Sequence, residues 1–377
     1  MQRRALLFGL GASASVTPVF QASAPRSLRA VAAERNIRFG SELTCADLDA
    51  DPAYGALIAR ECAIVTPGIE AKWGYTEPQE GNFRFQPMDR IAAFAARNGL
   101  MLHMHNLIWS VGLPKWTIAG IADGREAVIM AHHIAALVGR YQDQVESWDV
   151  VNEPADPRWP SGPEGLCRTP WRNGLGPGYV GQSLIDAHAS NRKVRLLIND
   201  DDLEYDLPDR EKKRSIYLHL IATLLRDNIP LHGFGLEAHL KPWLTIAEIP
   251  YRRFLHELGD FGLSIYVTEL DVCDKTLGAD IPARDHAVAS MTKRYLDLAL
   301  DEPATQTVIT WGLSDRTTWM VKDPSGQRRD GLPPRPLPYD SDLKPKPMRA
   351  ALLAAFAHAR DRVTREPNPL RRSELQP

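Results

Sequence analysis

Eight short runs rich in β-branched and apolar residues recur between about residue 36 and residue 315, and an amphipathic segment separates each from the next. Few folds accept that alternation. The runs are IRFGSEL (37–43), CAIVTPG (62–68), LMLHMHNLIW (100–109), VESWDVVNE (145–153), VRLLIND (194–200), HGFGLEAHL (232–240), SIYVTELDV (264–272) and TVITWGLSD (307–315). Helical patterns lie between them. One spans Arg90 to Arg97 and ends at Asn98-Gly99, another spans Arg125 to Tyr141 with Val128, Ala131, Ile134, Leu137, Val138 and Tyr141 at helical spacing, and a last one runs near Met348 to Arg360. Eight strands alternating with helices predict a single-domain α/β protein, a (β/α)8 TIM barrel. An open doubly wound sheet is the alternative. It is weakened because no Gly-rich loop follows the first strand and because polar residues end nearly every strand instead of gathering at one crevice.

In a barrel, the C-terminal strand ends line one mouth, where catalysis takes place. Those ends carry His105 and Trp109, Asn152 and Glu153, Asn199 and Asp200, Glu237 and His239, Glu269 and Asp271, then Trp311 and Asp315. Two carboxylates on different strands suit glycosidic cleavage, in which one protonates the leaving oxygen while the other attacks the anomeric carbon or activates water. Glu153 and Glu269 occupy those positions. Strand-end carboxylates also make structural ion pairs, so the inference gains its force from the Trp, Asn and His residues that converge with them.

The formal net charge of −2 offers no basic field for nucleic acid. Cys45, Cys62, Cys167 and Cys273 form no CxxC pair, which argues against a zinc or dithiol centre; a disulfide or four free thiols both remain open. His103 with His105 alternate along a strand and His132 with His133 sit on a helix, so neither pair reads as a metal site, and no cofactor is expected. Arg3-Arg4, an uncharged apolar stretch from Ala5 to Phe20 and Ala22-Ser23-Ala24 read as an export signal over residues 1–24, twin-arginine-like or general secretory. That stretch is short for a membrane span. The expected catalytic domain is 25–365, the expected frayed tail 366–377, and the expected location periplasmic or extracellular.

WDVVNEP, ending at Pro154, and TELD, from Thr268 to Asp271, resemble the acid/base and nucleophile signatures of glycoside hydrolase family 10, the endo-β-1,4-xylanases. The likeness runs from about residue 37 to residue 357 and includes Lys72-Trp73, Glu77-Pro78, Gly81-Asn82-Phe83, His105, Leu107-Ile108-Trp109, Leu113-Pro114-Lys115-Trp116, Arg168, Trp171, Asn199-Asp200, His239, Trp311-Gly312, Asp315 and Trp319. It implies a retaining, endo-acting hydrolase of β-1,4-linked polysaccharide, xylan or xylan-like, with Glu153 as acid/base and Glu269 as nucleophile roughly 5 to 5.5 Å apart. It further implies that Asn152 holds the 2-hydroxyl of the attacked sugar and that Lys72 and His105 bond its other hydroxyls. His239 would bond Glu269 and be oriented by Asp271, Trp109, Trp311 and Trp319 would wall the sugar, and Asn199 would contact substrate. The expected partner is a polysaccharide or oligosaccharide, with no stable membrane insertion and a monomeric chain.

The chain departs from the family's pattern at several places. Gly68 and Ile69 stand where the family normally has Glu-Asn, gripping the sugar one place beyond the cleaved one; Ser110 and Gly112 stand for His and Gln; Glu237 stands for Gln; Asp201 and Asp202 stand for Tyr-Asn. These changes spare the implied chemistry and bear on substrate identity. The same mechanism on a bacterial exopolysaccharide, or as a transglycosylase, is the alternative reading. A noncatalytic sugar-binding barrel is disfavoured because both glutamates are kept.

Overall fold

The structure, a computed structural model, describes residues 26–155 and 160–362. The expected export segment 1–24 and tail 366–377 lie outside the described residues. Eight parallel strands form the wall of a closed barrel: β1 (Arg38–Leu43), β2 (Ile64–Pro67), β3 (Met101–Ile108), β4 (Val145–Asn152), β5 (Arg195–Asp200), β6 (Gly233–Leu236), β7 (Ser264–Val272) and β8 (Thr305–Thr310). Each pairs with the next, and β1 closes the ring against β8 in the register Arg38↔Thr307 to Ser41↔Thr310. Because helices cover the outside and side chains fill the inside, the strands are buried on both faces, as the uninterrupted burial of all of β7 shows. Apolar runs without strict alternation therefore signal this sheet.

The helical patterns fold as helices with slightly different ends, except that Val128, grouped with the apolar face, is 72% exposed. Gln86–Arg97 buries Met88, Ile91, Ala92 and Ala95 against the wall, and Glu126–Arg140 buries Ile129, Ile134, Leu137 and Val138. The last helix is Pro347–His358. The Arg- and Pro-rich stretch before it is irregular apart from a short 3-10 turn, Trp319–Val321, and is tied down by buried charges. Asp274 receives Nε of Arg284 at 2.9 Å, Arg335 makes a two-pronged pair with Asp285, and Lys346 reaches Asp315 at 2.8 Å. All four cysteines are buried and none joins a disulfide among the described residues, so of the two open possibilities the structure has thiols. Among the described residues no helix is long and apolar enough to cross a membrane.

Two backbone departures shape the mouth. After β6 the chain breaks at Glu237-Ala238, where Ala238 takes φ +61°, and then resumes pairing with β7 over His239–Leu240. At the end of β4, Glu153 takes φ +50°. Left-handed backbone at non-glycine residues is uncommon and clusters at functional sites. Here both turns redirect a side chain over the barrel axis.

Candidate active site

Glu153 follows β4 and Glu269 lies near the end of β7, so the barrel brings together residues 116 positions apart in sequence. A buried pair of amides links them. Asn199, on β5, donates from Nδ2 towards Asn152 Oδ1 at 2.8 Å and Glu269 Oε1 at 3.0 Å, while Asn152 Nδ2 points to Glu153 Oε1 at 3.4 Å. Thr268 fixes Asn199 by donating to its Oδ1 at 2.7 Å. The space for Asn199 depends on Gly235, since a Cβ there would collide with the Asn199 amide.

Glu269 is flanked by nitrogen on two sides. His105 Nδ1 is 3.5 Å from Oε1, and His239 Nε2 is 3.3 Å from Oε2. The opposite nitrogen of His239 meets Asp271 Oδ1 at 3.0 Å, and Trp319 Nε1 donates to Asp271 Oδ2 at 2.7 Å. Burial alone would push Glu269 up, but His105, His239 and Lys72 outweigh it and hold the carboxyl below the ordinary glutamate range. Glu153 has the opposite setting. Its protein surroundings and the nearby charge of Asp201 push it up, more than the indole N–H of Trp109, at 3.1 Å from Oε2, pulls it down. Opposite settings of this kind suit a proton donor and a nucleophile, the division of labour a double displacement needs.

Glu237 lies against the same cluster. Burial and the charges of Glu269 and Glu153 push its carboxyl well above the usual range, so it is neutral where Glu269 is ionised. Asn199 Nδ2 is 3.2 Å from its Oε1. The substitution of an acid for an amide here preserves charge neutrality, and the protonated acid can donate as an amide does.

Glu237, His239 and Glu269 offer three ligand atoms within 4.8 Å of one another, a group that sequence spacing did not single out. Burial opposes protonation of His239, yet Asp271 and Glu269 outweigh it and raise its pKa well above the ordinary value. An imidazolium has no lone pair for a metal, so the group fits hydrogen bonding to Glu269 better than cation binding.

Aromatic rings enclose the space above the carboxyls. The ammonium of Lys72 lies 5.0 Å from the ring centre of Trp109 and 5.8 Å from that of Trp311. Trp109 and Trp319 are partly exposed, as a sugar platform must be, while Trp311 presents a narrow edge. On the Glu153 side a cavity of about 460 Å³ opens between Trp109, Ser110, Arg168 and Asp201.

The structure adds partners at three of the positions singled out in the sequence. Asn199, expected to contact substrate, is fully buried with both amide atoms engaged, so it positions Asn152 and Glu269 from below. His105, expected to bond a sugar hydroxyl, is 2% exposed, and its two ring nitrogens already face Asp149 and Asn106 at 3.0 and 3.1 Å. Where Gly68 replaces the family's Glu, the space belongs to another carboxyl: a Cβ on Gly68 would collide with Oε1 of Glu42, a residue at the end of β1 that the sequence pattern did not mark. Trp171 belongs to the core, stacked on Trp73 at 5.0 Å.

Sequence reading also missed the support behind Glu153. Lys213, fully buried on the helix Pro208–Arg226, places Nζ 2.7 Å from both Asp200 Oδ1 and Asp201 Oδ1. Those two carboxylates keep the ammonium charged despite its burial. A lysine in a helical pattern gives no sign of this, because its burial depends on the strand behind it.

The sequence profile of glycosyl hydrolase family 10 matches residues 27–355. Endo-1,4-beta-xylanase B of Thermotoga neapolitana is 27% identical over 302 residues, covering 79% of this chain and 82% of its own length. The beta-1,4-xylanase of Dictyoglomus thermophilum is 30% identical over 304 residues, covering 78% and 82%. In three dimensions the chain is similar to native xylanase 10B from Thermotoga maritima, with a TM-score of 0.77, 26% identity, and coverage of 88% of this chain and 98% of that one. The barrel, the paired carboxyls and the extent of these matches agree: the chain belongs to glycosyl hydrolase family 10 and is a glycoside hydrolase.

Proposed function

We propose that this enzyme cleaves β-1,4-linked xylan, or a xylan-like chain, internally and with retention, using Glu153 as acid/base and Glu269 as nucleophile. The observation that carries the reading is the opposite setting of the two carboxyls, Glu153 raised and Glu269 lowered. In the first step a Glu269 oxygen forms a bond to the anomeric carbon as the glycosidic C–O bond breaks, and the Glu153 proton passes to the leaving oxygen. In the second, Glu153 takes a proton from water while that water's oxygen displaces Glu269 from the sugar. Asn152 is proposed to hold the 2-hydroxyl, where a hydrogen bond strengthens as positive charge develops on the ring. Lys72 presents a cation to the hydroxyls of the same sugar, and Trp109, Trp311 and Trp319 wall it.

Relatives named xylanases support the substrate class, and no step calls for a metal or cofactor. A second reading, the same chemistry on a different β-glycan, is favoured by one observation: Ile69 is 41% exposed at the rim, an apolar side chain where the family's pattern has Asn. Residues 1–24 are proposed to be an export leader ahead of a catalytic domain over 25–365, placing a monomeric enzyme outside the cytoplasm.

Release of reducing sugar from xylan, mixed-linkage glucan, cellulose derivatives and bacterial exopolysaccharides tests the proposal, with Glu269→Ala as control. The expected result is release from xylan that the variant abolishes. Release only from another polymer moves the specificity and keeps the mechanism, and release unchanged in the variant overturns the assignment.

A further inference from the structure

We propose that Glu42 is the polar group by which this enzyme grips the sugar next to the one attacked, on the side away from the bond being cut. The inference rests on the assignment of Glu153 and Glu269 above. Glu153 protonates the leaving oxygen, so the departing part of the chain lies on its side of the mouth, towards β4. The retained part must run the other way. Around the ring, β1 and β8 are neighbours, and both lie at least three strands from β4. Glu42 at the end of β1, Gly68 and Ile69 after β2, and Trp311-Gly312 after β8 therefore form the wall along which the retained sugars lie.

Glu42 is 7% exposed, yet among the described residues neither of its carboxyl oxygens has a hydrogen bond or ion pair. A carboxyl in that condition is expensive to keep, since burial removes water without supplying a substitute. Its position is also deliberate in steric terms. Oε1 occupies the space a side chain at Gly68 would need, and Oε2 is 3.8 Å from where a Cβ on Gly312 would stand. Two residues without side chains flank one whose carboxyl has no hydrogen-bond partner among the described residues. Lys72, near enough to act on Glu42 electrostatically, is held between Trp109 and Trp311 and forms no ion pair with it.

What completes such a group is a ligand that both gives and accepts hydrogen bonds. Sugar hydroxyls do this. Burial and the charges of Asp47 and Glu70 favour the neutral form of Glu42, which can likewise donate and accept, whereas a uronate would be repelled by these carboxylates and by Glu269. The recognised class is thus a neutral pyranose with free hydroxyls, its apolar edge resting beside Ile69.

The test compares two activated substrates, 4-nitrophenyl β-xyloside, which leaves Glu42 unfilled, and 4-nitrophenyl β-xylobioside, which reaches it. The quantity read is the ratio of kcat/KM for the disaccharide over the monosaccharide. In Glu42→Ala this ratio is expected to fall roughly ten- to a hundred-fold, the range for losing a hydrogen bond to a buried polar group. Glu42→Gln, which keeps both a donor and an acceptor, should retain most of it, and the double variant Glu42→Ala/Gly68→Glu should recover part by supplying a carboxyl from the neighbouring strand. Thermal melting of each variant identifies any that fails to fold, in which case the Gln variant's ratio against Gly68→Ala, whose new methyl displaces the carboxyl, decides. A ratio unchanged in Glu42→Ala overturns the inference, as does an equal loss on both substrates. If the wild-type enzyme cleaves neither substrate while cleaving another β-glycan, the xylan reading fails and this inference with it.

Discussion

The carboxyl of Glu153 faces Asp201 and an indole, whereas that of Glu269 faces two imidazoles and an ammonium, so the pH values at which they lose their protons are drawn apart. The proposed cleavage needs Glu269 ionised and Glu153 protonated. Because Glu269 is lowered, activity should fall on the acid side only below the ordinary glutamate range; because Glu153 is raised, it should persist on the alkaline side above that range. A bell-shaped profile of kcat/KM with limbs so placed is expected, and an alkaline limb within the ordinary glutamate range would contradict the reading. Glu153→Ala should slow hydrolysis of unactivated xylan by roughly 10² to 10⁴-fold, with far less loss on a nitrophenyl glycoside and with azide restoring rate through a β-glycosyl azide, which product analysis would detect. An equal loss on both substrates would argue against an acid. These two glutamates were legible in the sequence because their neighbours in the chain, WDVVN and TELD, carry the signal. Glu42 was not, since the cue is a glycine on an adjacent strand. Asn199 was recognised but its partners were not, because sequence reveals that a residue ends a strand but not which neighbouring side chains its amide meets.

At the scale of elements, strand ends are the least legible part. The β8 run was expected to extend over 307–315, whereas the strand is Thr305–Thr310; Trp311 to Asp315 have left the ladder to build the mouth. The run at 232–240 reads as continuous, yet it breaks at Ala238, where a left-handed turn directs Glu237 and His239 towards Glu269. Nothing local in GLEAHL announces that turn, which the contacts of β7 impose. Packing between strands is equally exacting. Gly235→Ala on β6 would drive a methyl into the Asn199 amide, and the expected result is a loss of about 1 to 3 kcal/mol in denaturant melts. Activity should fall further than folding does, because Asn199 holds both Asn152 and Glu269. A variant with full activity and stability would show that this support is dispensable.

Across the whole molecule, the ring of strands supplies the site and the irregular segment before the last helix locks part of its rim. Asp274, fully buried after β7, receives the guanidinium groups of Arg284 and Arg328, the second contributed by that segment. Asp274→Ala leaves the buried guanidinium of Arg284 without its carboxylate, while Arg328 keeps Asp330, and it is expected to destabilise the protein by about 3 to 5 kcal/mol, read by urea or thermal unfolding. A change under about 1 kcal/mol would mean that the carbonyl of Pro333 alone satisfies Arg284. The alternation of eight apolar runs carried the closed barrel into view, but this long-range charge network has no signature in sequence, since it joins residues some 50 positions apart. The central claim is that the barrel aims Glu269 at an anomeric carbon. Incubation with a 2-deoxy-2-fluoro xylobioside bearing a good leaving group, followed by peptide mass spectrometry, tests it directly: one fluorosugar attached to Glu269 is the predicted result, and a label on any other residue, or turnover with inversion and no adduct, would contradict it.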